Sequence, residues 1–367
     1  MSQHKRKAYL IASVLLLFGI VIVTKTYAAP QAPVTNISLP TRAAFYYPWF
    51  PETWSVNGVH VSYNPSLGYY DSSQQSAADS HIRAMDYADI KVGIASWWGP
   101  GTHNEATRLP LLLSRTAALG SSLKWALYYE KEGAGDPSVA EIQSDLDYIS
   151  AHYAADNAFA KINGKPVIFV YNASAADNSC ALADKWAQAN AAQNFYISLK
   201  VFSGYAGCAN QPATWHQYSP AVATDSQPGY SYAISPGFNR ADETAPRLGR
   251  DQTRWTANIA AMKASNAPWQ LVTTFNEWGE GTATESSQQW SSTSGFGTYL
   301  DALHNNPHVV TPPTTFAGDG NYDGKVDIFD LSLLLSNFGK QGTSYDFNGD
   351  GSVTSADLSI LIANYGH

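Results

Sequence analysis

Two carboxylates three residues apart, Glu277 and Glu280, stand in the run Thr274-Phe275-Asn276-Glu277-Trp278-Gly279-Glu280-Gly281-Thr282. Just before them, Gln270-Leu271-Val272-Thr273-Thr274 is apolar and β-branched and reads as a buried strand. Two carboxyl groups at a strand end can divide acid and base work between them. One can protonate a leaving oxygen while the other acts as base or nucleophile, which is what cleavage of a glycosidic bond requires. Phe275 and Trp278 can exclude water from one of the two and raise its pKa. Glu-x-x-Glu alone is a common spacing on solvated helix faces; the strand, Asn276, Trp278 and the glycine-rich loop give this pair its meaning.

The elements that must position the pair alternate along the chain. Strands are expected at Ala43–Tyr47, Val92–Trp97, Trp125–Tyr129, Pro166–Tyr171, Phe195–Val201 and Gln270–Thr274, with short ones at Ala221–Thr224 and Tyr230–Ile234. Helical periodicity falls at Ser76–Ala88, Arg108–Leu119, Val139–Ala151, Cys180–Ala192, Trp255–Ser265 and Gly297–His304. About eight alternations over roughly 270 residues predict a (β/α)8 TIM barrel, whose active site forms at the C-terminal strand ends. Tyr47 to Trp49, Trp97, Trp98, Glu130, Glu277 and Glu280 would then ring one mouth. Neither Gly-x-Gly-x-x-Gly after the first strand nor Gly-x-x-x-x-Gly-Lys-Ser/Thr occurs, which disfavours a nucleotide-binding sheet.

The chain's 367 residues suit such a barrel with an appendage, and 11 Trp and 22 Tyr against 14 % charged residues suit a protein that handles carbohydrate. Its net charge of −8 argues against nucleic acid as a partner. Residues 1–28 combine a basic start, an apolar run from Ala8 to Val23 and a small-residue end at Ala28-Ala29. They read as a secretory signal peptide, or as an N-terminal membrane anchor if uncleaved, and place the protein outside the cell or at its surface. Cys180 and Cys208 are an even count in an exported chain and are expected to form one disulfide.

The body is assigned to residues 30–307, a Pro/Thr linker to 308–316 and a second domain to 317–367. From Ala317 onward seven Asp against two Lys leave a local charge of −5, so the acidity belongs largely to this tail. Asp319 to Asp330 and Asp346 to Asp357 are copies of one loop offset by 27 residues, each followed by an apolar helix. Both follow the EF-hand ligand order. Asp319, Asn321, Asp323, Lys325 (through its carbonyl), Asp327 and Asp330 would hold one Ca2+; Asp346, Asn348, Asp350, Ser352 (through its carbonyl), Thr354 and Asp357 would hold a second. Gly324 and Gly351 occupy the turn position.

Asp in place of Glu at the twelfth position, one helix per loop and the tandem spacing resemble a type I dockerin. The resemblance implies a cohesin-bearing scaffold or cell-surface protein as partner. Positions ten and eleven are Ile328-Phe329 and Ser355-Ala356 rather than paired hydroxyl residues, so a purely structural calcium module stands as the alternative.

In the body, Phe275 to Thr282 followed by Glu285 resembles the signature of glycoside hydrolase family 99, the endo-α-mannosidases. Phe45-Tyr46-Tyr47-Pro48-Trp49, Pro65-Ser66-Leu67-Gly68, Ser96 to Gly101, Tyr129-Glu130 and Ser235-Pro236-Gly237-Phe238 extend the likeness from about Ala43 to Glu285. The resemblance implies a retaining endo-α-mannosidase acting on mannan-type polysaccharide without a cofactor. Glu277 would deprotonate the substrate 2-hydroxyl, which closes a 1,2-anhydro sugar, and Glu280 would serve as general acid/base. It also implies substrate contacts from Tyr46 and Glu130, with Trp97, Trp98 and Trp278 as further candidates. Gly279, where the family commonly has His, and Tyr128 to Glu132 depart from the pattern. An α-glucan hydrolase and a catalytically silent carbohydrate-binding barrel are the alternatives.

Overall fold

The computed structural model describes residues 36–102, 107–172, 179–307, 316–320, 325–340 and 345–366. The signal segment, linker residues 308–315 and the expected ligands Asn321 and Asp323 lie outside the described residues.

Eight parallel strands curl into a nearly closed barrel. They are β1 (Thr41–Tyr46), β2 (Val92–Trp97), β3 (Lys124–Tyr129), β4 (Lys165–Val170), β5 (Tyr196–Lys200), β6 (Thr214–His216), β7 (Ser231–Ile234) and β8 (Trp269–Val272). Hydrogen bonding runs β7-β8-β1-β2-β3-β4-β5-β6. An antiparallel strand, Thr224–Gln227, lies on the free edge of β7 at the remaining gap.

Helices α1 (Gln75–Tyr87), α2 (Leu109–Ala118), α3 (Val139–His152), α4 (Cys180–Asn190), α5 (Gln252–Ala264) and α6 (Thr298–His304) follow β1, β2, β3, β4, β7 and β8. Their starts are locally encoded. Ser138 and Glu141 form a capping box on α3, Asp251 caps α5 through the Arg254 amide, and Pro110 occupies the first turn of α2. Among the described residues the β5–β6 and β6–β7 crossings contain no α-helix. The first has a 3₁₀ turn at Tyr205–Gly207, and the second has the antiparallel strand. Cys208, just after that turn, is disulfide-bonded to Cys180 at the start of α4.

Strand alternation sorts the core into two layers. Ala43, Phe45, Tyr47, Val92, Ile94, Ala126, Tyr128, Val167 and Phe169 fill the barrel, whereas Ala44, Tyr46, Ala95, Trp97, Trp125, Leu127 and Tyr129 face the helices. At the foot of the barrel the buried Arg42 guanidinium donates to the carbonyls of Ala88, Leu303 and Asn306. That fastens the end of α6 to the start of β1.

The C-terminal module contains α7 (Ile328–Ser336) and α8 (Ser355–Ala363), each opened by a capping box, Asp327 with Asp330 and Thr354 with Asp357. Its buried core is Val326, Leu334, Val353 and Leu361. Phe329 of α7 lies 6.4 Å, ring to ring, from Tyr230 just before β7.

Candidate active site

Beyond β8 the chain turns sharply and is held on all sides. The Phe275 amide donates to the Phe45 carbonyl at 2.8 Å, and Asn276 exchanges two hydrogen bonds with the Tyr47 backbone at 2.7 and 3.0 Å. The Glu277 amide donates to Thr274 Oγ1 at 2.8 Å, and the Thr282 amide to the Glu277 carbonyl at 3.1 Å. From the other side the segment after β7 pairs with the loop. The Asn239 amide donates to the Glu280 carbonyl at 2.8 Å, and the Ala241 amide to the Gly279 carbonyl at 2.9 Å. Gly281 is obligatory there: its φ is +64°, and a Cβ would stand 2.5 Å from the Asn239 carbonyl oxygen. Arg250 completes the clamp, donating to the Gly281 and Ala283 carbonyls while its guanidinium lies 3.8 Å from the Trp290 ring centroid.

This frame holds Glu277 and Glu280 at the C-terminal end of β8. Glu277 is buried, and its Oε1 accepts from the Glu280 amide at 3.2 Å. Burial raises its pKa, and the neighbouring charge of Glu280 raises it further. Glu280 is also raised by burial, but the Tyr218 hydroxyl, which donates to Oε2 at 2.8 Å, and the charges of Arg240 and Arg247 act in the opposite direction. Burial therefore raises both carboxyls, and the charge of each bears on the other's titration.

Glu130, directly after β3, is buried at the same mouth. Its pKa is pushed up to about 8 by burial, with a lowering from the Ser96 hydroxyl and a raising from Glu280. Among the described residues its Oε1 has no hydrogen-bond partner, and neither does the buried Tyr128 hydroxyl. Tyr47 and Tyr218, also buried, have hydroxyl pKa values raised by burial and by these carboxylates. A cleft of about 270 Å³, lined by Tyr171, Tyr218, Phe238, Arg240, Arg247 and Glu280, opens beside them. The site is therefore three carboxyls with phenols between them, two of its polar atoms left unpaired in a dry wall. Such a site can pass protons to and from the oxygens of a bound sugar.

Three of the expected contact residues are buried outside the barrel interior. Tyr46 has the helix-facing parity of β1, and its hydroxyl meets His81 Nδ1 at 2.9 Å. Trp97 has the same parity on β2 and is wholly buried against Tyr129. Trp278 is wholly buried too, stacked on Trp290, its Nε1 donating to Glu285 Oε2 at 3.1 Å. Trp98, one residue beyond Trp97, is 38 % exposed and available. Two phenols that the sequence did not single out, Tyr128 and Tyr218, also lie beside the carboxyls. Tyr128 shares the parity of Glu130 and was legible on that ground, whereas Tyr218 lies in a stretch without periodicity.

In the C-terminal module the donor set is hard oxygen throughout, and Gly351 turns the second loop at φ +96°, which fits calcium. Among the described residues no three His, Cys, Asp or Glu side chains converge. The Asp346 carboxylate instead accepts from the Gly349, Asp350 and Gly351 amides, and Asp357 from those of Phe347, Asn348 and Thr354. Asp330 and Asp327 are likewise taken up by the amides of Gly320 and Phe329.

A parallel barrel with paired carboxylates at its mouth defines the class of protein, a glycoside hydrolase. Residues 29–200 match the family described as Glycosyl hydrolase family 99, and residues 317–364 match the Dockerin type I domain. Two solved structures of the GH99 endo-α-mannosidase from Bacteroides thetaiotaomicron share the fold, one of them in complex with Bis-Tris propane. That one is 20 % identical, with a TM-score of 0.55 over 72 % of this chain and 95 % of the other. The second is 19 % identical, with the same TM-score over 72 % and 96 %. A structure titled glycoside hydrolase-like protein is 16 % identical, with a TM-score of 0.55 over 77 % and 98 %. No curated protein matches. The chain is thus similar to family 99 endo-α-mannosidases over its barrel and to type I dockerins over its tail. Its carboxylate pair lies beyond the matched stretch, so the pair's role is argued from geometry.

Proposed function

We propose that the protein is an exported, endo-acting, retaining α-glycosidase that cleaves mannan-type polysaccharide. The observation that carries this reading is the pair of buried, interacting carboxyls at the end of β8, with the unpaired Glu130 oxygen and Tyr128 hydroxyl beside it. Glu277, once deprotonated, takes the proton of the substrate 2-hydroxyl. That oxygen forms a bond to C1 as the C1–O bond of the leaving sugar breaks, and Glu280 delivers a proton to the departing oxygen. The product of the first step is a 1,2-anhydro sugar. Water, giving its proton to Glu280, then opens the epoxide at C1 while Glu277 returns its proton to O2, so the anomeric configuration is retained. Glu130, Tyr128 and Trp98 are assigned to the sugar, and no cofactor takes part.

Residues 1–28 act as signal or anchor, 30–307 as the catalytic body, 308–316 as linker and 317–367 as a two-calcium module. The exposed Ile328 and Phe329, 57 % and 46 % accessible, support docking to a cohesin rather than a purely structural role.

The test is product analysis on α-mannans and α-glucans. Release of mannose-containing oligosaccharides with retained configuration is expected, falling about 10³-fold or more in Glu277→Gln and Glu280→Gln. Cleavage of α-glucans alone would move the substrate assignment. Absence of cleavage on both would leave a carbohydrate-binding barrel.

A further inference from the structure

Glu285 lies at the far end of the catalytic loop, buried and away from the cleft, and its oxygens are saturated by donors from separate parts of the fold. Oε2 accepts from the Tyr70 hydroxyl at 2.8 Å and from Trp278 Nε1 at 3.1 Å. Oε1 accepts from Nε2 of His81, on α1, at 3.2 Å. Beyond it, His81 Nδ1 meets the Tyr46 hydroxyl of β1 at 2.9 Å. The Tyr70 hydroxyl also accepts from Asn276 Nδ2 at 3.3 Å, and the Glu285 carbonyl accepts from Trp290 Nε1 at 2.8 Å. Trp278, the ring held by this carboxylate, sits in the chain between Glu277 and Glu280.

We infer that Glu285 is a positioning residue: by holding the Trp278 indole against α1 and the Tyr70 loop, it fixes where the Glu277 and Glu280 carboxyls stand. The inference rests on the proposed roles of that pair. The hydrogen-bond inventory explains the need for a carboxylate. Three donors converge on one side chain, and only an acceptor on both oxygens satisfies them with His81 in its Nε2–H form and Tyr46 donating to Nδ1. It also predicts which substitution is tolerated. A glutamine can keep its carbonyl toward Tyr70 and Trp278 and turn its amide to His81. The imidazole then shifts its proton to Nδ1 and donates to the Tyr46 oxygen, so Trp278, Tyr70 and His81 keep their partners, while the Tyr46 O–H and one amide N–H lose theirs. Alanine leaves His81 Nε2 and the Tyr70 hydroxyl without their acceptor, and leaves Trp278 Nε1 only its longer bond to the Tyr70 oxygen at 3.3 Å.

The experiment compares Glu285→Ala, Glu285→Gln and Trp278→Phe with wild type, kcat being normalised to folded protein. Ala is expected to lower kcat about 100-fold, the scale of an ångström-sized misplacement of reacting groups. KM should stay within about twofold of wild type. Gln is expected to restore most of kcat, and Tyr46→Phe to remove that rescue. Trp278→Phe keeps a ring on Trp290 and deletes only the N–H, and should lower kcat with KM unchanged even if Ala folds poorly. A crystal structure of the Trp278→Phe or Ala variant should show the 277–280 carboxyls displaced. Unaltered kcat per folded molecule in both variants overturns the inference, as does an undisplaced loop. Failure of wild type on every glycan would strike the reading of the site, while the structural comparison still decides this one.

Discussion

Glu130 stores part of the site's chemistry as a cost to folding. Its carboxyl titrates near 8 in the folded protein against about 4.5 ordinarily, so between these values the folded chain holds a proton that the unfolded chain has released. Its contribution to stability is complete below about 4.5 and is lost as pH rises through about 8. Glu277 shifts in the same direction. The melting temperature is therefore expected to fall from pH 5 to pH 8, and the slope should flatten in Glu130→Gln; an equal slope in the two proteins counts against the buried, unpaired carboxyl. Gly279 has a different constraint. A Cβ there would stand 2.9 Å from both Glu277 Oε1 and Val56 Cγ2, so the residue must be small for the Ser55–His60 hairpin to lie against the carboxylate. Gly279→Ala should lower kcat about 10-fold or more with little change in melting temperature, and Val56→Ala should restore part of it; the two-by-two comparison of rates is the measurement. At this scale the sequence made legible that Glu130, Glu277 and Glu280 stand at strand ends, because charged residues directly after apolar runs mark where a strand stops. It did not reveal that Tyr46 and Trp97 face the helices, because strands buried on both faces carry no polar alternation to show which neighbour points inward.

At the scale of elements, the alternation of β-branched runs and helical periodicity was enough to read seven of the eight barrel strands and six helices, while the strand expected at Ala221–Thr224 falls instead at Thr224–Gln227. β6 escaped notice: Thr214-Trp215-His216 is three residues long and lacks a run. The β5–β6–β7 region also broke the expected eightfold alternation, since Gly204, Gly207 and Pro212 leave no room for a helical stretch and tertiary pairing supplies the strand instead. There the disulfide does the work a helix would. It closes a loop of sequence separation 28 from α4 to the turn before β6, a constraint on the unfolded chain of about 3–4 kcal/mol. Reduction should accordingly lower the barrel's melting temperature by several degrees, read by calorimetry with and without reductant, and Cys180→Ala/Cys208→Ala should match the reduced protein.

For the molecule as a whole, the two domains differ in what keeps them folded. The barrel has a continuous aromatic interior; among its described residues the C-terminal module has four buried apolar side chains, with two capped helices and loops rich in acceptors. A core that small depends on its ions. Chelation should abolish the module's amide protection and cohesin binding while leaving the barrel's transition and its hydrolysis of soluble glycan in place. The duplication of the loop was fully legible, since ligand spacing is imposed by the ion and not by packing.

The Arg42 bonds to Leu303 and Asn306 have a further consequence. They pin the last turns of the barrel domain to the end where strands begin, and Tyr230, beside Phe329, lies at that same end. The leash therefore leaves from the underside while the mouth opens on top. Were the C-terminal module docked on a carrier, the barrel would turn its back to it, and a long polymer would approach from the open side without the carrier standing in its path.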